Sequence, residues 1–161
     1  MAYPSIIGRD LNVEIFNLGF SGSGKMQIAM ADILAKMDAD VYILDCVPNS
    51  SPQQIHDRAV PFIHRLRELK PGVPIILVES LFREDGNWDT VKGMYVTNQN
   101  KEFRQAHEAL VAEKVEKLYY IPSADLIGKD HEATIDGSHF TDVGFIRCSK
   151  QIEAALSKAL K

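Results

Sequence analysis

The sequence predicts an α/β fold with a parallel sheet. Short apolar runs rich in β-branched residues alternate along the chain with longer segments of helical period, which is typical of this class. The length of 161 residues, with 45% apolar and 25% charged side chains, suits one domain with one hydrophobic core. In such sheets ligands bind outside the carboxyl ends of the strands, so a site is expected in the loops that follow them.

The predicted elements follow from these runs and from local stop signals. Strands are expected at residues 13–18, 41–45, 75–79 and 118–121. Helices are expected at residues 4–11, about 25–36, about 51–69, about 98–115 and 141–160. Pro4 suits a first helical turn, and Lys70-Pro71-Gly72 is a stop signal for the third helix. The loops to inspect are therefore residues 19–24, 46–50, 80–95 and 122–139.

The composition limits the classes of partner. A formal net charge of −4, with Lys and Arg scattered among acidic residues, does not predict nucleic-acid binding. No apolar run approaches the roughly 20 residues of a membrane span. Cys46 and Cys148 match no zinc or redox spacing, so no metal is expected and both are interpreted as reduced, buried thiols. A cytoplasmic location is the default expectation, and a secreted or periplasmic one stays open.

The segment with the clearest chemical meaning lies before the last helix. Asp136 and His139 are three residues apart, so the carboxylate can bind one ring nitrogen and leave the other free to transfer a proton. This is half of a hydrolytic site. The other half, a nucleophile, has no convincing candidate, since Ser21 and Ser23 are better explained as polar loop residues.

The loop at residues 19–26 allows two interpretations. It reads Gly-Phe-Ser-Gly-Ser-Gly-Lys-Met and nearly matches the phosphate-binding pattern G-x-x-x-x-G-K-[ST], which favours a nucleotide. Against this, Met26 stands where a hydroxyl should bind Mg²⁺. In the second interpretation, the Gly22 N–H and the Asn49 side-chain amide stabilise a developing oxyanion. This second interpretation also accounts for Asp136 and His139.

These segments together resemble the SGNH hydrolases, also called GDSL-type esterases and lipases. Residues 17–22 resemble the family's second block, Cys46-Val47-Pro48-Asn49 a variant of its third, and Asp136-Gly137-Ser138-His139 its last. The resemblance covers nearly the whole chain. It implies a flavodoxin-like three-layer sandwich, Gly22 and Asn49 as oxyanion donors, Asp136 and His139 as the acid–base pair, and no cofactor.

The family's first block, a strand that ends in the nucleophilic serine, has no counterpart in this chain. The resemblance places it before Tyr3-Pro4, so we interpret residues 1–161 as one N-terminally truncated domain that lacks the nucleophile. A protein that naturally lacks the serine is the alternative. In the family's sheet the missing strand lies between residues 13–18 and 41–45. Unpaired backbone groups there predict instability and self-association into homo-oligomers.

The predicted function follows from the resemblance. The complete protein is expected to hydrolyse carboxylic esters through an acyl-enzyme, with O-acetyl groups on carbohydrates as the family-level substrate, and the chain as given is expected to be inactive. Arg83 and Trp88, in the long third loop, are candidate substrate-wall residues. Two alternatives stay open: a P-loop nucleotide-binding protein or kinase that uses residues 19–26, and a non-catalytic binding module.

Overall fold

The computed structural model describes residues 2–81 and 83–161, without the side chain of Asp125. The helices are α1 (Tyr3–Leu11), α2 (Ile28–Leu34), α3 (Pro52–Leu69), α4 (Thr90–Ala112) and α5 (Asp142–Ala159). The strands are β1 (Tyr42–Leu44), β2 (Ile75–Val78) and β3 (Leu118–Ile121). Short 3-10 helices cover Val47–Asn49, Glu84–Asn87 and Ser123–Asp125. The alternation of helices and strands confirms the predicted α/β class.

The three strands form one parallel sheet in the order β1-β2-β3. Ile75 lies opposite Tyr42 on one side and Leu118 on the other. All four residues of β2 are buried, which explains its continuous apolar run, since a central parallel strand is covered on both faces. The carboxyl ends of β1, β2 and β3 meet at one edge of the sheet.

Helices cover both faces of the sheet and produce two apolar clusters. Ile75 and Leu77 of β2 pack in the cluster with α3 and α4, whereas Ile76 and Val78 pack in the cluster with α1 and α5. This alternation follows from the two-residue period of a strand. The result is the three-layer arrangement that the family resemblance implied.

Local capping explains where two helices begin. Ser51 forms a capping box with Gln54 at the start of α3. The Asp89 side chain accepts the backbone N–H groups of Val91 and Lys92, so α4 begins at Thr90 rather than at the predicted residue 98. The first turn of α4 contains β-branched residues and a glycine. Because these residues have low helix propensity, the sequence did not predict a helix there. The third loop is correspondingly shorter than predicted.

The predicted strand at residues 13–18 is wrong. The segment 12–27 has no regular helix or strand, and within the described residues no chain segment forms a ladder with it. A strand depends on a partner for its backbone groups, and β1 pairs only with β2 in the described sheet. Val13 and Phe16 are accordingly 45% and 55% exposed. We call residues 12–27 the open segment.

In the described part of the chain, no helix combines the length and the hydropathy of a membrane span.

Candidate functional site

The loop that carries Asp136 and His139 is shaped by backbone pairing. The Ile135 N–H donates to the His139 carbonyl at 2.8 Å, and the Thr141 N–H donates to the Ala133 carbonyl at 2.9 Å. Gly137 has a φ of +84°, and a Cβ there would lie 2.8 Å from the Asp85 backbone nitrogen. Only glycine satisfies both conditions without strain.

Asp136 orients the imidazole of His139. Its Oδ1 accepts the backbone N–H groups of Ser138 and His139 at 2.9 and 2.7 Å, and its Oδ2 lies 2.7 Å from His139 Nδ1. The hydrogen bonds from the His139 backbone N–H, its ring and the Ser138 N–H lower the pKa of Asp136. An ionised carboxylate only accepts hydrogen bonds, so Nδ1 carries the proton and Nε2 is left as the basic nitrogen. The His139 side chain is 80% exposed.

A cavity of about 290 Å³ lies beside His139 at the carboxyl ends of the strands. Its lining includes Ser138, His139, Tyr3, Asp45, Pro48 and Glu79. Burial raises the pKa of the Asp45 carboxyl, although the hydrogen bond from the Tyr3 hydroxyl at 2.8 Å opposes this. The pKa of the lining thiol Cys148 is raised by burial to about 12, so at neutral pH it is a thiol and not a nucleophilic thiolate.

Asn49 lies on a tight turn after β1. We call residues 46–50 the Asn49 turn. The Asn49 Nδ2 lies 3.8 Å from the position that a Cβ on Gly24 would occupy. Pro48, the preceding residue, lines the same cavity as His139. Pro48 of the Asn49 turn and His139 of the acid–base pair thus line one cavity.

Gly22 is placed differently. It lies in the open segment, is exposed, and has a φ of +88°. A Cβ added to it would meet no described atom within 4 Å, and Gly22 is not among the residues described as lining the cavity. Of the four predicted site residues, His139 is among the described residues that line the cavity, and Asp136, Asn49 and Gly22 are not. Asp136 is bonded to His139, and the Asn49 side chain lies near Gly24, two residues after Gly22.

The two candidate wall residues also differ. An Arg83 guanidinium nitrogen donates to the Pro48 carbonyl at 3.2 Å, so Arg83 adjoins the Asn49 turn. Trp88 is 74% exposed and is not among the residues that line the cavity in the described structure.

The nucleotide-binding interpretation of residues 19–26 lacks its structural context. That motif requires a strand before the loop and a helix directly after it. The preceding segment is not a strand, and α2 begins only at Ile28. The Lys25 N–H is bonded to Gln27 Oε1 at 3.3 Å, and Met26 is buried.

Sequence reasoning missed a group of buried polar residues behind the loops. Glu79, at the end of β2, is fully buried and accepts hydrogen bonds from Arg104, Tyr120 and the Ser123 N–H. Gln99 and Asn100 of α4 reach the loops after β1 and β2. Both residues lie three or four positions from Val96 and Phe103, so the helical period would have predicted that they share the buried face of α4. Within residues 2–81 and 83–161, no group of His, Cys, Asp and Glu is placed to hold a metal.

A family model and one solved structure indicate the same family. The model of the GDSL-like lipase/acylhydrolase family matches residues 1–157. A crystal structure from Bacteroides ovatus that is assigned as a GDSL-like lipase is 42% identical, with a TM-score of 0.93, and the match covers 98% of this chain and 47% of that one. A search of curated proteins finds no match.

Two more distant structures share the fold. The salicylyl-acyltransferase SsfX3 from a tetracycline biosynthetic pathway has 16% identity and a TM-score of 0.81, over 97% of this chain and 48% of its own. A Clostridium thermocellum family 3 carbohydrate esterase has 18% identity and a TM-score of 0.58, over 86% of this chain and 70% of its own. The chain therefore spans about half the length of the first two structures.

Proposed function

Because the chain belongs to the GDSL-like lipase/acylhydrolase family, we propose that it supplies the acid–base pair and the oxyanion donors of a serine hydrolase of carboxylic esters. The observation that carries this proposal is the hydrogen bond of 2.7 Å between Asp136 and His139, with the imidazole at the mouth of a cavity. This arrangement leaves Nε2 able to accept a proton from an attacking hydroxyl.

The proposed reaction has two halves. A serine Oγ attacks the ester carbonyl while His139 Nε2 takes its proton, and the C–O bond to the alcohol then breaks as His139 returns that proton to the leaving oxygen. Water attacks the resulting acyl-enzyme in the same way and releases the carboxylic acid. Asp136 holds the ring and stabilises the imidazolium that forms in each half.

The oxyanion of each tetrahedral intermediate needs hydrogen-bond donors. We assign this role to the Asn49 side-chain amide and the Gly22 N–H. Asn49 is supported by its turn, which lines the cavity through Pro48. Gly22 is supported by the resemblance of its block and by an exposed backbone that a substrate oxygen can approach.

The nucleophile in this proposal is a serine outside residues 1–161. Ser50 and Ser80 are buried, and their hydroxyls donate to the Cys46 and Leu81 carbonyls. Ser21 and Ser23 are exposed on the open segment. Without that serine, the chain is expected to form no acyl-enzyme.

The substrate class is a second part of the proposal. We propose small O-acyl groups on carbohydrates, in line with the carbohydrate esterase that shares the fold. An open cavity of about 290 Å³ accepts a short acyl group but is at the lower end of ligand pockets. Arg83, tied to Pro48, is the candidate wall residue.

The test compares turnover of 4-nitrophenyl acetate by the 161-residue chain and by the protein extended upstream in its own reading frame. We expect hydrolysis by the extended protein only, and a fall of about 1000-fold or more on Asp136→Asn or His139→Ala. The control is His56→Ala, because His56 is also an exposed histidine paired with a carboxylate, Glu102, at 3.0 Å.

Two other outcomes would contradict parts of the proposal. Equal losses in His56→Ala and His139→Ala would remove His139 from the reaction. An upstream stop codon directly before Met1, with ester binding but no turnover, would favour the non-catalytic binding module instead.

A further inference from the structure

We propose that Gln99 is a positioning residue that holds the Asn49 turn in the shape the oxyanion donor needs. The proposal rests on the role assigned above to Asn49. It concerns a side chain on α4 that is bonded to the turn and is not among the described residues that line the cavity.

Gln99 spans the turn with one amide group. Its Nε2 donates to the Val47 carbonyl at 3.0 Å and to the Ser50 carbonyl at 2.6 Å. An amide nitrogen has two hydrogens, so both are used. The two carbonyls lie on either side of Asn49 in the chain, and one side chain therefore sets the distance across the residue between them.

The position of Gln99 is costly for a polar residue. The residue is 0% exposed and shares its helix face with Val96, Phe103 and Leu110. Its Oε1 is buried and has no partner in the described structure, which costs free energy that an apolar side chain would avoid. Turning the amide over would place Oε1 against two carbonyl oxygens, so the donor orientation is fixed. The two donated bonds are the reason to keep an amide there.

The rest of the turn is held in the same way, through its backbone. The Asn49 N–H donates to the Cys46 carbonyl at 3.3 Å, and the Ser50 N–H donates to the Val47 carbonyl at 3.1 Å. Arg83 binds the Pro48 carbonyl. These bonds engage the main chain and not the Asn49 side-chain amide, whose Nδ2 lies 3.8 Å from the position of a Cβ on Gly24.

A rigid turn matters because an oxyanion donor acts only at hydrogen-bond distance from the oxygen in the transition state. A donor that is already in place needs no reorganisation when charge develops. Gln99 thus acts on the reaction through Asn49, by limiting the positions that this side chain samples.

The first test uses the 161-residue chain and needs no turnover. Gln99→Met keeps the length of the side chain, removes both donors and buries no charge. We expect the Asn49 and Ser50 N–H groups to exchange with solvent about tenfold faster or more, with unchanged exchange in α3. The nuclear Overhauser effect between the Asn49 side-chain amide and the Gly24 Hα protons should be lost. Should this variant not fold, Gln99→Asn, whose shorter amide cannot reach both carbonyls, gives the same readouts.

The matched control is Ile63→Val, a mild core change in α3, where Ile63 is 0% exposed. It lowers stability without removing a bond to the turn, so both signals should persist. Unchanged exchange and an unchanged Overhauser effect in Gln99→Met would overturn the proposal, whatever the protein's activity.

The second test uses the extended protein and 4-nitrophenyl acetate. Gln99→Met should lower kcat about 10- to 100-fold with KM within about twofold, and should add little to Asn49→Ala. A kcat no lower than that of Ile63→Val would mean that Gln99 only supports the fold, and the proposal would then be wrong. If the wild-type extended protein hydrolyses no ester, the proposed function fails, while exchange and the Overhauser effect still decide whether Gln99 holds the turn.

Discussion

The Asn49 turn and the open segment carry the two proposed oxyanion donors, yet they are built in opposite ways. The turn is tied to α4 by Gln99 and to the third loop by Arg83, and Val47 and Ser50 are 0% exposed. The open segment forms no ladder with a described strand. A Cβ added to Gly22 would meet no described atom within 4 Å. The open segment is anchored near its end, where Met26 is buried and Arg58 donates to the Lys25 carbonyl at 3.1 Å, and Gly22 itself is spanned by the local bond from the Ser23 N–H to the Phe20 carbonyl.

This difference shows which parts of the proposed site are held in place by described residues. The loop of the acid–base pair and the Asn49 turn are both held by hydrogen bonds between described residues. Gly22 lies in a segment that forms no ladder with a described strand.

The largest expected effect on stability is at the base of the His139 loop. Gly144→Ala places a Cβ against the Ala133 carbonyl oxygen and 2.9 Å from the Phe140 ring, at the base of the His139 loop. We expect a loss of about 2–4 kcal/mol in the free energy of unfolding, measured by urea denaturation. A loss below about 1 kcal/mol would show that the loop is as free to move as the open segment.

Glu79→Gln should have the next largest effect and should change the response to acid. Burial opposes ionisation of Glu79, but hydrogen bonds from Tyr120, Ser123 and Arg104 outweigh it and lower its pKa. A lowered folded-state pKa contributes stability that is present above the unfolded value near 4.3 and is lost as the pH falls through the folded value.

We therefore expect Glu79→Gln to cost about 2–3 kcal/mol at pH 7 and less as the pH falls below about 4. Urea denaturation at several pH values measures both. A cost that does not depend on pH would show that the charge of Glu79 is not what supports the loops.

Gly22→Ala gives the matched test in the open segment. Alanine is strained at a φ of +88°, but no described atom lies within 4 Å of its Cβ, and only the local bond from the Ser23 N–H to the Phe20 carbonyl spans the residue. We expect a loss below about 1 kcal/mol in urea denaturation. A loss as large as that of Gly144→Ala would mean that the open segment is held as firmly as the His139 loop.

Phe16→Ser should have the smallest effect on stability. Phe16 is 55% exposed in the open segment, so its removal should change the free energy of unfolding by about 0.5 kcal/mol or less. We predict that exposed apolar residues beside an unpaired edge make the chain self-associate, and that Phe16→Ser reduces this. Sedimentation velocity measures it, with Val111→Ser, at a residue 51% exposed on α4, as the control. A monomeric wild-type chain would contradict the prediction.

Much of the fold could be predicted because its signals are local. The continuous apolar run of β2 and the stop signal after α3 predicted these elements closely. The start of α4 was missed because a single cap, Asp89, overcomes weak helix propensity. The strand at residues 13–18 was wrong because pairing is a non-local property that a period cannot reveal.

The residues of the site also differ in whether nearby or distant parts of the sequence set their contacts. Asp136 and His139 are three residues apart, so their contact is set by one short loop, and the 2.7 Å hydrogen bond has the predicted partners. The role of Gln99 depends on contacts with residues about 50 positions away, at Val47 and Ser50. From sequence alone, a polar residue in a helix is predicted to be exposed, and only the packing of that helix shows that it is buried.

The most direct test of the central claim is intact-mass and peptide analysis after treatment with a fluorophosphonate. It is applied to the 161-residue chain and to the protein extended upstream in its reading frame. The account predicts one adduct, on a serine of the extended protein outside residues 1–161, and much slower labelling after His139→Ala. An adduct on Ser21, Ser23 or another serine of the 161-residue chain would contradict it.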